Sequence, residues 1–156
     1  MQSYVLFLLA GQRYGVTADR VEEIARAVQI APLPAAPPLV EGAVDWRGRI
    51  VAVLDLRGRF RLPSKPLQLS DQLILARSRG RLVALRVDDV SDVVTLATDA
   101  VIPAQAALPG VGMVAGIVRA ADALGDGLIL IQDLDSFLSD AELDALDRAV
   151  AAAANG

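Results

Sequence analysis

Apolar residues recur along this chain in short runs rich in Val, Leu and Ile, at 4–10, 12–17, 48–56, 71–77, 81–87, 112–118 and 127–134. Each run is bounded by Gly, Pro, Asp or Ser, the pattern of β-strands separated by turns. Strands at this spacing predict small closed barrels rather than an α/β sheet. Two hairpins are expected, 4–17 turning near Ala10-Gly11 and 71–87 turning at Ser78-Arg79-Gly80.

The pattern repeats. Gly11 and Gly80 are 69 residues apart, and at that offset Leu6 matches Leu75, Val16 matches Leu85, Val21 matches Val90, Glu23 matches Asp92 and Ile24 matches Val93. A second pairing places Asp55-Leu56 against Asp133-Leu134, 78 residues on. Two matches in the same order imply a duplication and two similar β lobes, with approximate bounds 12–66 and 71–138 inside one domain spanning 1–156; strand exchange between lobes is compatible with that order. Helix is scarce. Residues 17–26 read as a short helix near 18–26, with Thr17 as N-cap and Val21 and Ile24 on one face. A clear helix is expected at 139–153: Ser139 and Glu142 form a capping box, Leu138 and Leu143 a hydrophobic staple, and Leu143, Leu146 and Val150 one apolar stripe. The proline-rich stretch 31–40 predicts a rigid extended connector.

Composition narrows the chemistry. Hydrophobic residues make up 54% of the 156 and charged residues 22%, which argues against disorder. The apolar run at 4–10 is too short to span a bilayer and lacks the flanks of a secretion signal, so a cytoplasmic protein is expected. Cysteine and histidine are both absent. That removes disulfides, thiol chemistry, imidazole bases and histidine-bound zinc. The net charge of −4 hides an asymmetry: Gly42–Pro66 carries +4, and Asp122–Arg148 carries −7. Such patches suit polar contact surfaces.

Four groupings are candidates for chemistry. Asp88, Asp89 and Asp92 lack the glycine and terminal glutamate of a calcium loop, so no metal site is assigned. The glycines of 109–116 precede a strand rather than a helix, which disfavours phosphate binding, and no cofactor is expected. Arg47, Arg49, Arg57, Arg59 and Arg61 offer a basic segment for nucleic acid or another ligand, but only Trp46 and Phe60 are there to stack on bases. Asp55 and Asp133 are the best carboxylate pair for catalysis, yet their equivalent places in the two repeats favour a structural role, closing a strand by accepting backbone N–H groups. No catalytic residue is assigned.

One turn stands out. Within "GAVDWRGRIVAVLDL" (42–56) the chain's single tryptophan, Trp46, sits beside Asp45, Arg47 and Gly48. Trp and Arg are the residue types most enriched at the energetic centres of protein interfaces. The competing expectation for Trp46 is that it folds back on its own barrel. Asp45 is the only acid near Arg47 in sequence, and it can pair with Arg47 or Arg49. Arg47 should project from a hairpin end with donors free for a partner, and Arg47→Glu should leave stability within about 0.5 kcal/mol, as for most surface changes.

These segments together resemble the CheW-like family of bacterial chemotaxis coupling proteins. The likeness runs from about residue 3 to 148. Its most specific part is P-x-x-P-x-x-x-x-G-x-x-x-x-R-G-x-I-x-x-V-x-D-L-R, met by Pro34, Pro37, Gly42, Arg47, Gly48, Ile50, Val53, Asp55, Leu56 and Arg57. The resemblance implies two SH3-like five-stranded β-barrels packed through an apolar layer. It implies a non-catalytic adaptor, without cofactor or bound metal, linking a chemotaxis histidine kinase to chemoreceptors and recruited to membrane-associated receptor arrays. The kinase would pair through a regulatory domain of the same fold, at residues the sequence does not name. The receptor's cytoplasmic helical tip would dock in a groove between lobes, at positions matching Val21, Glu23, Gly42 and Arg47, joined by neighbouring Asp45 and Trp46. The family usually has Asn-Leu where this chain has Asp45-Trp46, so a different receptor preference is expected. No receiver or kinase segment is read, which implies a standalone adaptor. The alternative is a regulatory β-barrel protein that binds nucleic acid or a ligand through its arginine-rich 47–61 segment.

Overall fold

The computed structural model describes residues 1–103, 114–119 and 127–155. The strands are β1 (Gln2–Leu9), β2 (Gln12–Thr17), β3 (Val21–Arg26), β4 (Val40–Trp46), β5 (Arg49–Asp55), β6 (Gln72–Ser78), β7 (Arg81–Val87), β8 (Asp89–Leu96), β9 (Ile102–Pro103), β10 (Val114–Arg119) and β11 (Leu128–Gln132). A one-turn helix α1 (Leu56–Arg59) follows β5, and helix α2 (Asp140–Asn155) comes last. The fold is mainly β, with two SH3-like sheets. One has the order β3-β6-β7-β5-β4, the other β8-β1-β2-β11-β10-β9.

The duplication is visible strand by strand. β1, β2, β3 and β5 become β6, β7, β8 and β11 at the offsets read from sequence, and the two sheet orders are then the same. The two-residue strand β9 adds a sixth member to one sheet. The lobe bounds expected at 12–66 and 71–138 do not follow the sheets. β2 belongs to the six-stranded sheet, whereas β6 and β7 lie in the other. Each repeat's hairpin is completed by the other repeat: β3 pairs with β6, and β8 with β1. One lobe is therefore the continuous stretch 21–87, and the other is built from the segments on either side.

Three hairpins close through two-residue turns with both residues at positive φ: Ala10-Gly11 (51°, 80°), Arg47-Gly48 (52°, 82°) and Arg79-Gly80 (53°, 78°). This turn matches the right-handed twist of the flanking strands, and its second position suits glycine. Asp55 and Asp133 each accept a backbone N–H two residues on, at 3.1 Å, and so cap the turn after β5 and β11.

Residues 18–26 are not a helix. Ala18–Arg20 form a single 3-10 turn, and Val21–Arg26 pair with β6. A β-bulge at Glu22 explains the false signal. The extra residue puts Val21 and Ile24, three apart, against the same core, which mimics helical spacing. The connector 31–40 is also not extended throughout: Ala36 N–H bonds Leu33 O and Val40 N–H bonds Pro37 O, folding it into turns.

Alternation along the strands makes three apolar clusters. Leu73, Leu75, Val51, Val53 and Leu82 fill the five-stranded lobe. Tyr4, Leu6, Val118, Ile129 and Ile131 fill the other. Between the lobes lies the largest cluster, with Val5, Phe7, Val16, Leu54, Ile74, Leu85, Phe137 and Leu146. Inside it Phe7, Tyr14, Phe60 and Phe137 form an aromatic row with centroid spacings of 5.7, 4.7 and 6.2 Å. Strands such as β6 and β7 bury both faces, one into their own lobe and one into the shared layer. Helix α2 starts with the expected capping box, Ser139 N–H to Glu142 Oε1 at 3.0 Å and Glu142 N–H to Ser139 Oγ at 3.1 Å. Its stripe Leu143, Leu146 and Val150 packs on the shared layer.

Candidate partner-binding site

The Asp45–Gly48 turn is held from below. Asp45 Oδ1 accepts the Gly48 N–H at 2.9 Å, which locks the turn and leaves Asp45 exposed at its side. Trp46 pairs across the hairpin with Arg49 and packs, half-buried, on the cluster inside the five-stranded lobe. Its ring therefore covers the barrel end and leaves a partly exposed face. The Arg47 guanidinium sits 5.1 Å from that ring's centroid, within cation–π range.

The partner of Arg47 within the chain is Glu23, not Asp45. Arg47 Nη2 lies 2.9 Å from Glu23 Oε2 and 3.1 Å from Oε1. β3 and β4 are the two edge strands of their sheet, so this pair spans the seam where the barrel closes. The Arg47 side chain remains 71% exposed and that of Glu23 37%, so the guanidinium keeps donors toward solvent. Glu23, Asp45, Trp46 and Arg47 thus share one end of the five-stranded lobe.

Two predicted residues have different surroundings. Gly42 is buried, and a Cβ there would lie 2.2 Å from Ala31 O. The segment Ile30–Ala31 runs antiparallel beside this strand and exchanges two backbone hydrogen bonds with Ala43, at 2.9 and 2.8 Å. Gly42 permits that close approach and is covered by it. Val21, at the start of β3, is half-buried against the layer between the lobes.

The basic segment does not form one patch. Arg57 is buried and pairs with Asp88 at 2.5 Å. Arg59 pairs with Glu142 at 2.5 Å, and Arg47 with Glu23. Asp88 also accepts the Ala10 N–H; burial raises its pKa, but these partners outweigh that and hold it below the ordinary value. Of the three acids of 87–92, Asp88 is thereby engaged with Arg57. Glycines 110 and 112 lie outside the described residues, and Gly116 is in strand β10.

Sequence reasoning missed a cluster next to the turn. Arg49, Ile50, Arg77, Arg81, Leu143 and Asp147 line a cleft of about 360 Å³, with Arg77 tied to Glu22 at 2.6 Å and Arg81 to Asp147. Only the pairing of β5 with β7 and the seating of α2 bring these residues together. The lobes are further pinned by Asp135, which accepts hydrogen bonds from Arg20 Nη1 and Nη2, at 2.8 and 2.9 Å, and from the Arg79 N–H at 2.7 Å. The Arg20 bonds, helped by the Arg79 N–H, pull Asp135 down to about 2.

The family model for the CheW-like domain matches residues 3–142. The chain belongs to the CheW-like family. It is 27% identical over 146 residues to the chemotaxis protein CheW of Klebsiella aerogenes, covering 94% of this chain and 87% of that one. It is 25% identical over 148 residues to the chemotaxis protein CheW of Treponema pallidum, covering 91% and 85%. Its fold is that of the scaffolding protein TtCheW from Thermoanaerobacter tengcongensis, with a TM-score of 0.78, 27% identity and 90% of each chain covered. A CheW-like chain of this kind is a chemotaxis adaptor of signal transduction. None of its described helices is long and apolar enough to cross a membrane.

Proposed function

We propose that this CheW-like chain couples chemoreceptors to a chemotaxis histidine kinase, without chemistry of its own, and that the Glu23–Trp46–Arg47 end of the five-stranded lobe meets the receptor. The observation carrying the receptor assignment is the turn itself. A rigid hairpin end presents an aromatic face and an exposed guanidinium side by side, and Glu23 fixes the guanidinium's place. Such a surface suits an amphipathic helix, which offers apolar and charged groups on one stripe. Asp45 and Trp46 are the receptor-selective positions, and Gly42 acts indirectly by seating the 30–31 segment. The kinase pairs barrel to barrel through apolar contacts, and receptor binding places the adaptor in membrane-associated arrays.

The test is a pair of titrations on one purified variant. Arg47→Glu should weaken binding to a receptor cytoplasmic tip by about 2 kcal/mol, the scale of an interface hot spot. Affinity for the kinase regulatory domain should change much less. Unchanged receptor affinity removes Arg47 from the interface, and equal loss for both partners points to damage of the whole lobe.

A further inference from the structure

The internal duplication exposes a difference between the lobes. In the five-stranded lobe Asp55 stands opposite Arg86 in the β5–β7 register. Arg86 is buried; its Nε is 2.7 Å from Glu41, its Nη2 3.4 Å from Asp55 and 2.9 Å from Lys65 O, and its Nη1 3.2 Å from Asp71. The guanidinium fills the junction between the strand end and the bulge at Glu41.

β11 and β2 keep the same register, Leu130↔Tyr14 and Ile131↔Gly15 corresponding to Ala52↔Val83 and Val53↔Ala84. Continuing it by two residues sets Asp133 opposite Thr17, where the other lobe has Asp55 and Arg86. The bulge residue equivalent to Glu41 is Ala115. Arginine and its glutamate are thus both replaced by small residues, and a cleft of about 340 Å³ lies there. Its walls include Tyr4, Thr17, Arg20, Val101, Gln132 and Asp133. The walls have also become more polar: Gln132 stands where the other repeat has Leu54, and Tyr4 where it has Leu73. Gln132 is only 4% exposed, and its Oε1 is buried without a hydrogen-bond partner among the described residues. Its amide nitrogen donates to Leu130 O at 3.1 Å.

Charge selects the occupant. Arg20 is neutralised by its two bonds to Asp135. Asp133 accepts the Asp135 N–H at 3.1 Å and the Ser136 hydroxyl at 2.8 Å, with no cationic side chain bonded to it among the described residues. An orphaned amide oxygen, a carboxylate and a tyrosine ring together favour a planar cationic donor over an anion or a neutral apolar group. We infer that this cleft receives an arginine side chain of a protein partner, its guanidinium taking the place that Arg86 takes in the other lobe.

The experiment uses the full chain and N-acetyl-L-arginine amide as probe, followed by amide chemical shifts, with the neutral isostere N-acetyl-L-citrulline amide as control. Saturable shifts at Thr17, Val101, Gln132 and Asp133 are expected, roughly tenfold weaker for citrulline. Shifts of equal size for both probes, or none at these residues, overturn the inference. Thr17→Arg supplies the guanidinium from within the chain. It should raise Tm and abolish the arginine shifts; arginine shifts that persist in a folded Thr17→Arg protein also overturn it. If that variant does not fold, the two-probe titration of the unsubstituted chain still decides.

Discussion

Replacing Arg47 with glutamate sets a carboxylate against Glu23 and removes the cation from the face of Trp46. The exposed ion pair contributes about 0.2–1 kcal/mol. The cation–π contact adds about 0.5–1 kcal/mol at an exposed site. Like-charge repulsion is of similar size but shared with solvent, because the Arg47 side chain is 71% exposed. Arg47→Glu should therefore lower stability by about 1–2 kcal/mol, above the roughly 0.5 kcal/mol that the sequence predicts, because Glu23 and the Trp46 ring are its neighbours. Both residues are unbranched at Cβ, so the positive φ at this turn position is not a separate cost. The Tm should fall by about 2–8 °C at this chain length. The assay is urea denaturation of the unsubstituted chain and the three variants made by Glu23→Gln and Arg47→Gln, singly and together, plus Arg47→Glu and the charge swap Glu23→Arg/Arg47→Glu. The swap should recover part of the Arg47→Glu loss, since it restores the ion pair but leaves Trp46 facing a carboxylate. Additive single losses, or a swap no better than Arg47→Glu alone, would refute the pairing.

Gly42→Ala should cost about 1–3 kcal/mol through overpacking against Ala31 O, read as a lower urea midpoint at unchanged m-value; a neutral result would mean that the 30–31 segment moves away at little cost. Arg86→Met should cost about 3–5 kcal/mol, because Asp71, 2% exposed, loses its cationic partner and keeps only the Gln68 N–H, at 3.0 Å; thermal melts at neutral pH check this. Leu146→Asp should lower the melting temperature strongly, since Leu146 is fully buried between α2 and both lobes, and a chain truncated at Leu138 that melts like the full protein would contradict the packing of α2. Asp135 should titrate near 2 by carboxyl NMR. Its folded pKa lies below the unfolded value, so its contribution is complete above about pH 5 and is lost progressively as pH falls through about 2. Arg20→Gln should raise the Asp135 value and flatten that part of the acid profile.

Much of the architecture is local information. The strands, the X-Gly turns, the helix-capping box and the two offsets of the repeat can all be read from neighbouring residues, because turn chemistry and alternation act over a few positions. The family motif from Pro34 to Arg57 likewise lies in one stretch, and it led directly to the adaptor. Residues 18–26 show where local information fails. Val21 and Ile24 are spaced as on a helix, and only the open edge of β6, 50 residues away, turns them into a bulged strand. The site shows the same limit. Trp46 and Arg47 stand out in the sequence, but Glu23 becomes their neighbour only when the barrel brings its two edges together. Gly42 reads as part of a contact surface until Ala31 is set against it. The lobes themselves are interleaved rather than consecutive, since a backbone edge bonds whichever strand reaches it. Hydrogen-bond edges and ion pairs are satisfied in space, not along the chain, and for that reason the tertiary structure alone decided who partners whom.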